Sequence, residues 1–251
     1  MVSFAGESMG TIHILKLGST LPWLVPRLGD FEDWILSGMQ LAPGAATVVD
    51  VAGGSALPAY RYVSGAVVSG SHAAVTEHRD WSERTAEWLA GAVARQIPIL
   101  GICYGHQLLA YALGGEVGDN PRGREFGTLP VYLDGAAACD PLLGGLTSPM
   151  GVHLCHNQSV LRLPAGARFL AWSDLDRNQA FVVGDAAWGV QFHPEFSAAA
   201  VAAYVDDARE ELAAAGRDPD VAMASCEDTL YGAAILRRFV AVVQGRGQRG
   251  R

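Results

Sequence analysis

Residues 97–115, "IPILGICYGHQLLAYALGG", constrain the fold more than any other stretch of this chain. An apolar run stops at Gly101, a cysteine stands at 103 and a second glycine follows at 105. From Tyr104 the pattern changes at once: Leu108, Leu109 and Ala112 share one face before a Gly-Gly stop. A strand buried on both sides reads as a continuous apolar run, and a helix as a stripe of period 3.6. The stretch therefore predicts strand, tight turn, helix.

The first half repeats the theme. "TIHILKL" (11–17), "ATVVDV" (46–51), "GAVVSG" (65–70) and "IPILGI" (97–102) read as strands. Between the last two, Trp81, Thr85, Trp88, Leu89, Ala92 and Val93 recur at helical spacing, with Asp80 and Glu83 as a capping-box-like start. The middle differs. "GTLPVYL", "MGVHLCH", "ARFLAWS", "QAFVVG" and "WGVQF" are short runs between turn residues and predict an antiparallel portion added to the sheet. Two helices close the chain: one begins after Ser197, a good N-cap, and the other covers "EDTLYGAAILRRFVAVVQ". The expectation is one α/β domain over residues 1–251 with a mostly parallel central sheet, and a frayed tail over about 245–251.

Half of the residues are hydrophobic and 18% are charged, enough for a sizeable core. The net charge of −8 argues against a broad phosphate-tracking surface and suggests no membrane footprint, so neither nucleic acid nor membrane is an expected partner. Cys103, Cys139, Cys155 and Cys226 form no CxxC pair, which suits a reducing compartment. The first residues do not read as a signal peptide, and no stretch is long and apolar enough to span a bilayer. A cytoplasmic enzyme is the default expectation. No metal cluster, dinucleotide fingerprint or P-loop stands out, so no metal or cofactor is expected.

A strand entering a helix through G-x-C-x-G is the thiol form of a nucleophile elbow. The glycines permit the turn, the turn exposes the Cys103 sulfur at the carboxyl edge of the sheet, and the helix N-terminus lowers the thiol pKa. The N–H of Tyr104 can then donate to an oxyanion. A buried structural cysteine in a tight turn is the competing reading. The base would come from "WGVQFHPEF" (188–196): in an extended segment His193 and Glu195 project to one side, so Glu195 can orient the imidazole. Taken alone, His-Pro-Glu reads as a surface turn; beside the elbow it reads as base and orienter.

Together, "GICYGHQLLAYALGG" and "GVQFHPEFS" resemble the triad class of glutamine amidotransferases, class I, and within it the glutaminase part of GMP synthase and its stand-alone relatives. The resemblance runs from about "VVSGSH" to "HPEFS". It implies a flavodoxin-like α/β fold with helices on both faces of the sheet, Cys103 as nucleophile, His193 as base and Glu195 as its partner. It places "VVSGSH" (67–72) where a strand-end loop completes the oxyanion hole, through Gly70 and Ser71. The family's usual Ser-Gly-Gly is here Ser69-Gly70-Ser71, and a positive φ at Ser71 would cost energy. The resemblance puts Gln107 near the amino-acid end of a substrate. Glu125 reads as structural. Where GMP-synthase-type glutaminases read His-Gly-Asp, this chain has His156-Asn157-Gln158, an arrangement also similar to γ-glutamyl hydrolases. His156 lines the site or is a loop histidine satisfied by backbone; His72 carries the same two readings. Cys139, Cys155 and Cys226 read as ordinary core thiols.

The resemblance implies cleavage of the glutamine γ-amide through a cysteine thioester, releasing glutamate and ammonia. The chain after His193 shows no ATP-pyrophosphatase pattern, so the expectation is either that a separate synthase accepts the ammonia or that there is no acceptor. The alternative is a γ-glutamyl peptidase or hydrolase acting on a small γ-glutamyl compound. A scaffold with a relic site is a third reading, which the intact Cys, His and Glu disfavour. The "HNQSV" loop and Gln107 are expected to select the leaving group. Replacing Gly-Asp by Asn157-Gln158 removes a formal negative charge, so a neutral or anionic leaving group should be tolerated. Acceptor, pathway and oligomeric state are not legible in the sequence.

Overall fold

The computed structural model describes residues 10–42 and 44–249. The strands are β1 (Thr11–Lys16), β2 (Ala46–Asp50), β3 (Val63–Val68), β4 (Ile99–Ile102), β5 (Glu116–Asp119), β6 (Glu125–Leu133), β7 (Met150–His156), β8 (Gln158–Arg162), β9 (Ala167–Trp172), β10 (Ala180–Val183) and β11 (Ala187–Val190). The helices are α1 (Val25–Leu28), α2 (Phe31–Met39), α3 (Asp80–Ala94), α4 (Tyr104–Ala112), α5 (Ala198–Asp207), α6 (Arg209–Ala214), α7 (Pro219–Ala224) and α8 (Tyr231–Arg249). Nine strands form one sheet in the order β2-β1-β3-β4-β11-β10-β9-β6-β7. The first five are parallel and the remainder antiparallel. The parallel half follows the flavodoxin-like strand order, in which ligands bind beyond the carboxyl ends of the strands.

One strand departs from the sequence expectation. The run "WGVQF" reads as part of the antiparallel portion, but β11 pairs parallel with β4, Val190 opposite Ile102, and antiparallel with β10. This pairing matters for the site. It sets the chain that leaves β11 beside the turn that leaves β4.

The parallel strands feed two cores because successive side chains point to opposite faces. Ile12 and Ile14 of β1, Val67 of β3 and Leu100 and Ile102 of β4 join one cluster, closed by Ile35 and Met39 of α2 and Ile235, Leu236 and Phe239 of α8. Leu15, Ala66, Val68 and Ile99 join the other, closed by Trp88 and Leu89 of α3 and Leu108 and Leu109 of α4. Full burial of one such side chain contributes about 1.5–3 kcal/mol, so both helical layers are held by the period-2 pattern of these strands.

The helix starts are mixed. Ser197 Oγ accepts the Ala200 N–H and caps α5 as expected. Asp80 and Glu83 do not cap α3: its N-cap is Arg79 with no side-chain cap, and Glu83 turns instead to His78 and Tyr111. The stretch after Ser197 breaks at Ala208 into α5 and α6. Residues 245–249 of the expected frayed tail continue α8, and the last two lie outside the described residues. No described helix is long and apolar enough to cross a membrane.

Candidate active site

The turn after β4 is possible only with glycine on both sides. A Cβ on Gly101 would lie 2.4 Å from the Gly105 carbonyl oxygen, and one on Gly105 would lie 2.4 Å from the Val68 carbonyl oxygen. Between them Cys103 adopts φ 50° and ψ −100°, a strained conformation for a residue with a Cβ. Its N–H donates to the Val190 carbonyl at 2.9 Å, and its carbonyl accepts the Gln107 N–H at 3.1 Å. The strain is thus held from the β11 side and from α4. Cys103 is the N-cap of α4, so the Tyr104 N–H has no partner within the helix.

The chain leaving β11 brings the second part. The His193 N–H donates to the His153 carbonyl at 2.8 Å, and its Nδ1 lies 2.8 Å from Glu195 Oε1. Both side chains are buried. The imidazole stacks on Phe196, with ring centroids 4.0 Å apart, and on Phe31 at 6.4 Å. Phe31 is set by its neighbour: Asp30 caps α2 through the Phe31 N–H and pairs with Lys16 at 2.8 Å. Gly70 lies under the ring, where a Cβ would come within 3.2 Å of His193 Cε1. With Nδ1 occupied by Glu195, the other ring nitrogen is left for the Cys103 thiol. Burial opposes the thiolate, yet the charge and hydrogen bond of His193, helped by His156, hold the Cys103 pKa below its ordinary value. Burial likewise opposes the imidazolium, and the charges of Glu195 and Cys103 outweigh it and raise the His193 pKa.

A cavity of about 360 Å³ opens over the sulfur. Ser71, Tyr104, Gln107, His156, Asn157 and Gln158 line it; Gly70 and Glu195 do not. Ser71 is not among the non-glycine residues with positive φ, which are Gln40, His78, Gln96 and Cys103 among the described residues. The conformational cost expected at Ser71 does not arise. Gln107 Nε2 donates to the Gln158 carbonyl at 2.7 Å and to Gln191 Oε1 at 3.0 Å. Gln158 Nε2 donates to Thr76 Oγ1 at 2.8 Å and to Asp119 Oδ1 at 3.1 Å. The β5–β8 pairing sets Asp119 opposite Gln158, which puts a carboxylate beside the loop. Glu77, Asp119, Asp207 and Glu211 all line the cavity, and no lysine or arginine does among the described residues.

A second histidine–glutamate pair lies deeper. His156 Nε2 is 3.0 Å from Glu125 Oε2 and its Nδ1 is 3.0 Å from the Gln158 carbonyl oxygen. Glu125 also accepts from Ser173 Oγ at 2.8 Å and Gln179 Nε2 at 2.7 Å. With the adjacent Cys155, this makes a second Cys, His and Glu set. It is not equivalent to the first. Cys155 and His156 are consecutive on β7 and project to opposite faces, and burial pushes the Cys155 thiol well above its ordinary pKa. Ligand atoms of Glu125, His156 and Asp176 lie within 4.8 Å of one another, but the histidine's two nitrogens are already spent on Glu125 and Gln158.

The sequence reading missed several contributors. Tyr204 hydroxyl meets Thr20 Oγ1 at 2.9 Å and His72 Nε2 at 3.2 Å, so the exposed His72 is tied to α5. Gln191 sits two residues before His193 in the same motif, which could have marked it. The partnership of Glu125 with His156 had no local signal. Cys139, expected in the core, is exposed, and Cys155 and Cys226 are half-buried.

Cys103, His193 and Glu195 fall inside a recognisable family segment. Residues 58–206 match the model of the family described as glutamine amidotransferase class-I. The chain is 42% identical over 151 residues to the glutamine-hydrolyzing GMP synthase of Aeropyrum pernix, covering 60% of this chain and 27% of that protein. It is 41% identical over 99 residues to one subunit of the glutamine-hydrolyzing GMP synthase of Ignicoccus hospitalis, covering 39% of this chain and 50% of that one. The chain thus spans half or less of the length of these relatives. Among solved structures, a glutamine amidotransferase from Thermotoga maritima superposes with a TM-score of 0.73 at 21% identity, over 94% of this chain and 98% of that one. One from Methylobacillus flagellatus gives 0.71 at 26% identity, over 97% and 96%. With its α/β fold, its cysteine elbow and a matched segment that holds Cys103, His193 and Glu195, the chain belongs to the class-I glutamine amidotransferase family.

Proposed function

We propose that the chain hydrolyses the γ-amide of glutamine through a thioester on Cys103. The observation that carries this reading is the strained cysteine at the N-terminus of α4, whose thiolate is favoured by a buried histidine that is itself held by Glu195. The Cys103 thiolate attacks the γ-carbonyl carbon, and the Tyr104 N–H with those of Gly70 and Ser71 receive the oxyanion. His193 gives its proton to the departing nitrogen, and ammonia leaves. A water then loses a proton to His193 and attacks the thioester; the C–S bond breaks and glutamate is released with the thiolate restored. Gln107, His156, Asn157 and Gln158 border the amide.

The ammonia acceptor in this reading is a separate synthase chain, as the naming of one relative as a single subunit of its synthase suggests. A compartment that keeps Cys103 reduced suits this chemistry, and the cytoplasm is such a compartment.

The cavity favours a second reading as well, a hydrolase of small γ-glutamyl amides. Four carboxylates line the leaving-group side. Glu77 is paired with Arg79 and Glu211 with Arg124, while Asp119 and Asp207 have no ion pair among the described residues. An anionic leaving group is opposed there, contrary to the expectation from the loop sequence alone; neutral and cationic ones are not. The test compares kcat/KM for glutamine with that for γ-glutamyl amides bearing a neutral butyl, a cationic aminobutyl or an anionic carboxypropyl group. The cationic compound should exceed the anionic one by about tenfold or more at low salt, with the gap narrowing as salt screens the rim. A larger rate with the anionic compound would refute the rim argument, and no hydrolysis of any of them would refute the enzyme.

A further inference from the structure

We infer that His156 is a permanently charged positioning residue: clamped between Glu125 and the Gln158 carbonyl, it keeps a second positive charge beside Cys103 while His193 gives and takes its proton. The inference rests on the reading of Cys103 as nucleophile. It begins from two hydrogen bonds. Gln158 O is a carbonyl oxygen and can only accept, and Glu125 Oε2 is a carboxylate oxygen; each lies 3.0 Å from one ring nitrogen. A neutral imidazole carries one N–H, so one lone pair would face an oxygen. Only the imidazolium satisfies both contacts. Moving the proton to Glu125 does not remove the conflict, because both of its oxygens already accept, Oε1 from Ser173 and Oε2 from Gln179.

The charge is also fixed in place. Glu125 and His156 are register partners on β6 and β7, and their side chains are 3% and 1% exposed. Cys103 Sγ lies 3.8 Å from the carbonyl oxygen of Cys155, the residue before His156, and both side chains border one cavity. The charged or titratable groups facing His156 are Glu125 on β6, Asp176 on the turn after β9, and Cys103 and His106 at the start of α4. His106 does not compete as a cation, because burial pushes its pKa down to about 4. Burial opposes the charge on His156 too, but Glu125, Asp176 and Cys103 together raise its pKa, and His156 in turn favours the Cys103 thiolate.

His193 cannot do this work alone. Once it has given its proton to the departing amide nitrogen it is neutral, whereas His156 has no nitrogen free to release a proton to substrate. It therefore favours thiolate as attacking group and, in the second half of the reaction, as leaving group.

The test is alkylation of the full chain by iodoacetamide between pH 5 and 10, with each labelled cysteine located by mass spectrometry, in the wild type, His156→Gln and Glu125→Gln. The Cys103 rate at pH 6 should fall about tenfold in His156→Gln, the size of a one-unit shift of the thiol, and kcat should fall more than KM rises. Folded His156→Gln with an unchanged Cys103 profile overturns the inference. Should the variants not fold, nitrogen NMR of the wild type decides it: His156 protonated on both nitrogens from pH 5 to 9 supports the charge, and a neutral His156 in that range overturns it. Preferential labelling of Cys155 or Cys226 would overturn the nucleophile reading itself, and the inference with it.

Discussion

The molecule builds the same pair twice within one site, and in the proposed reaction the two copies take opposite roles. His193–Glu195 and His156–Glu125 are both buried histidine–carboxylate contacts, at 2.8 and 3.0 Å. In the first, the carboxylate takes Nδ1 and the second nitrogen is left to the thiol. Glu195 Oε2 has no partner among the described residues. In the second, both nitrogens and both carboxylate oxygens are committed. An open nitrogen permits proton transfer; a closed ring permits only charge. What separates a base from a fixed cation is therefore not the pair itself but what the far side of the ring meets. For His193 that is a strained turn, and for His156 a strand carbonyl.

The largest expected effect separates the pairs by rate. His193→Ala should reduce glutaminase kcat at least about 10³-fold, comparable to Cys103→Ala, and the double variant should be little worse, because members of such a unit are strongly non-additive. His156→Gln should cost far less. Steady-state kinetics on the four variants beside wild type checks this, and a His156→Gln loss as large as that of His193→Ala in a folded protein would erase the distinction.

The next effect reverses the ranking and is read in stability. Glu125→Ala leaves a buried imidazolium without its carboxylate and removes an acceptor from Ser173 and Gln179, a loss of about 3–5 kcal/mol. In a chain of this size that is a fall in Tm of roughly 6–20 °C. Glu195→Ala removes one hydrogen bond from a ring still supported by Phe31 and Phe196, so its Tm should fall less while its activity falls more. Calorimetry beside kinetics tests the crossing. Parallel losses in both measurements would mean that Glu195 is as structural as Glu125.

The two pairs also differ in how far the sequence displays them. His193 and Glu195 lie two residues apart in one motif, and the elbow is spelled out by Gly101, Cys103 and Gly105, where any side chain on the glycines meets backbone. Their legibility comes from local geometry. Glu125 and His156 meet only because β6 and β7 pair in one register, and nothing local specifies that register. The parallel strands were legible because their side chains feed two cores. The parallel pairing of β11 was not, since a short apolar run does not state which neighbour it will join. α2 was missed for a related reason. Its cap is Asp30 with Asp33, a weaker signal than Ser or Thr with Glu, and it starts just after a glycine turn. At Ser71 a residue substitution suggested a strain that the backbone conformation does not contain.

The smallest effect is a titration, and it isolates what each ring feels. Burial is the largest influence on both histidines and lowers both pKa values. What raises them differs. For His193 the Cys103 charge ranks directly after that of Glu195; for His156 it comes last, behind Glu125 and Asp176. Cys103→Ala should therefore lower the pKa of His193 clearly and that of His156 little. The sign carries into stability. A histidine whose folded pKa is raised contributes stability that is complete below the unfolded value of about 6.5 and lost as pH rises through the folded value. In Cys103→Ala the pH window over which His193 loses its share moves down, while that of His156 stays. Imidazole NMR titrations of wild type and variant resolve the two rings, and Tm against pH gives the stability counterpart. Equal shifts at both histidines would mean that Cys103 couples to them alike, and that the open and closed pairs are one electrostatic unit.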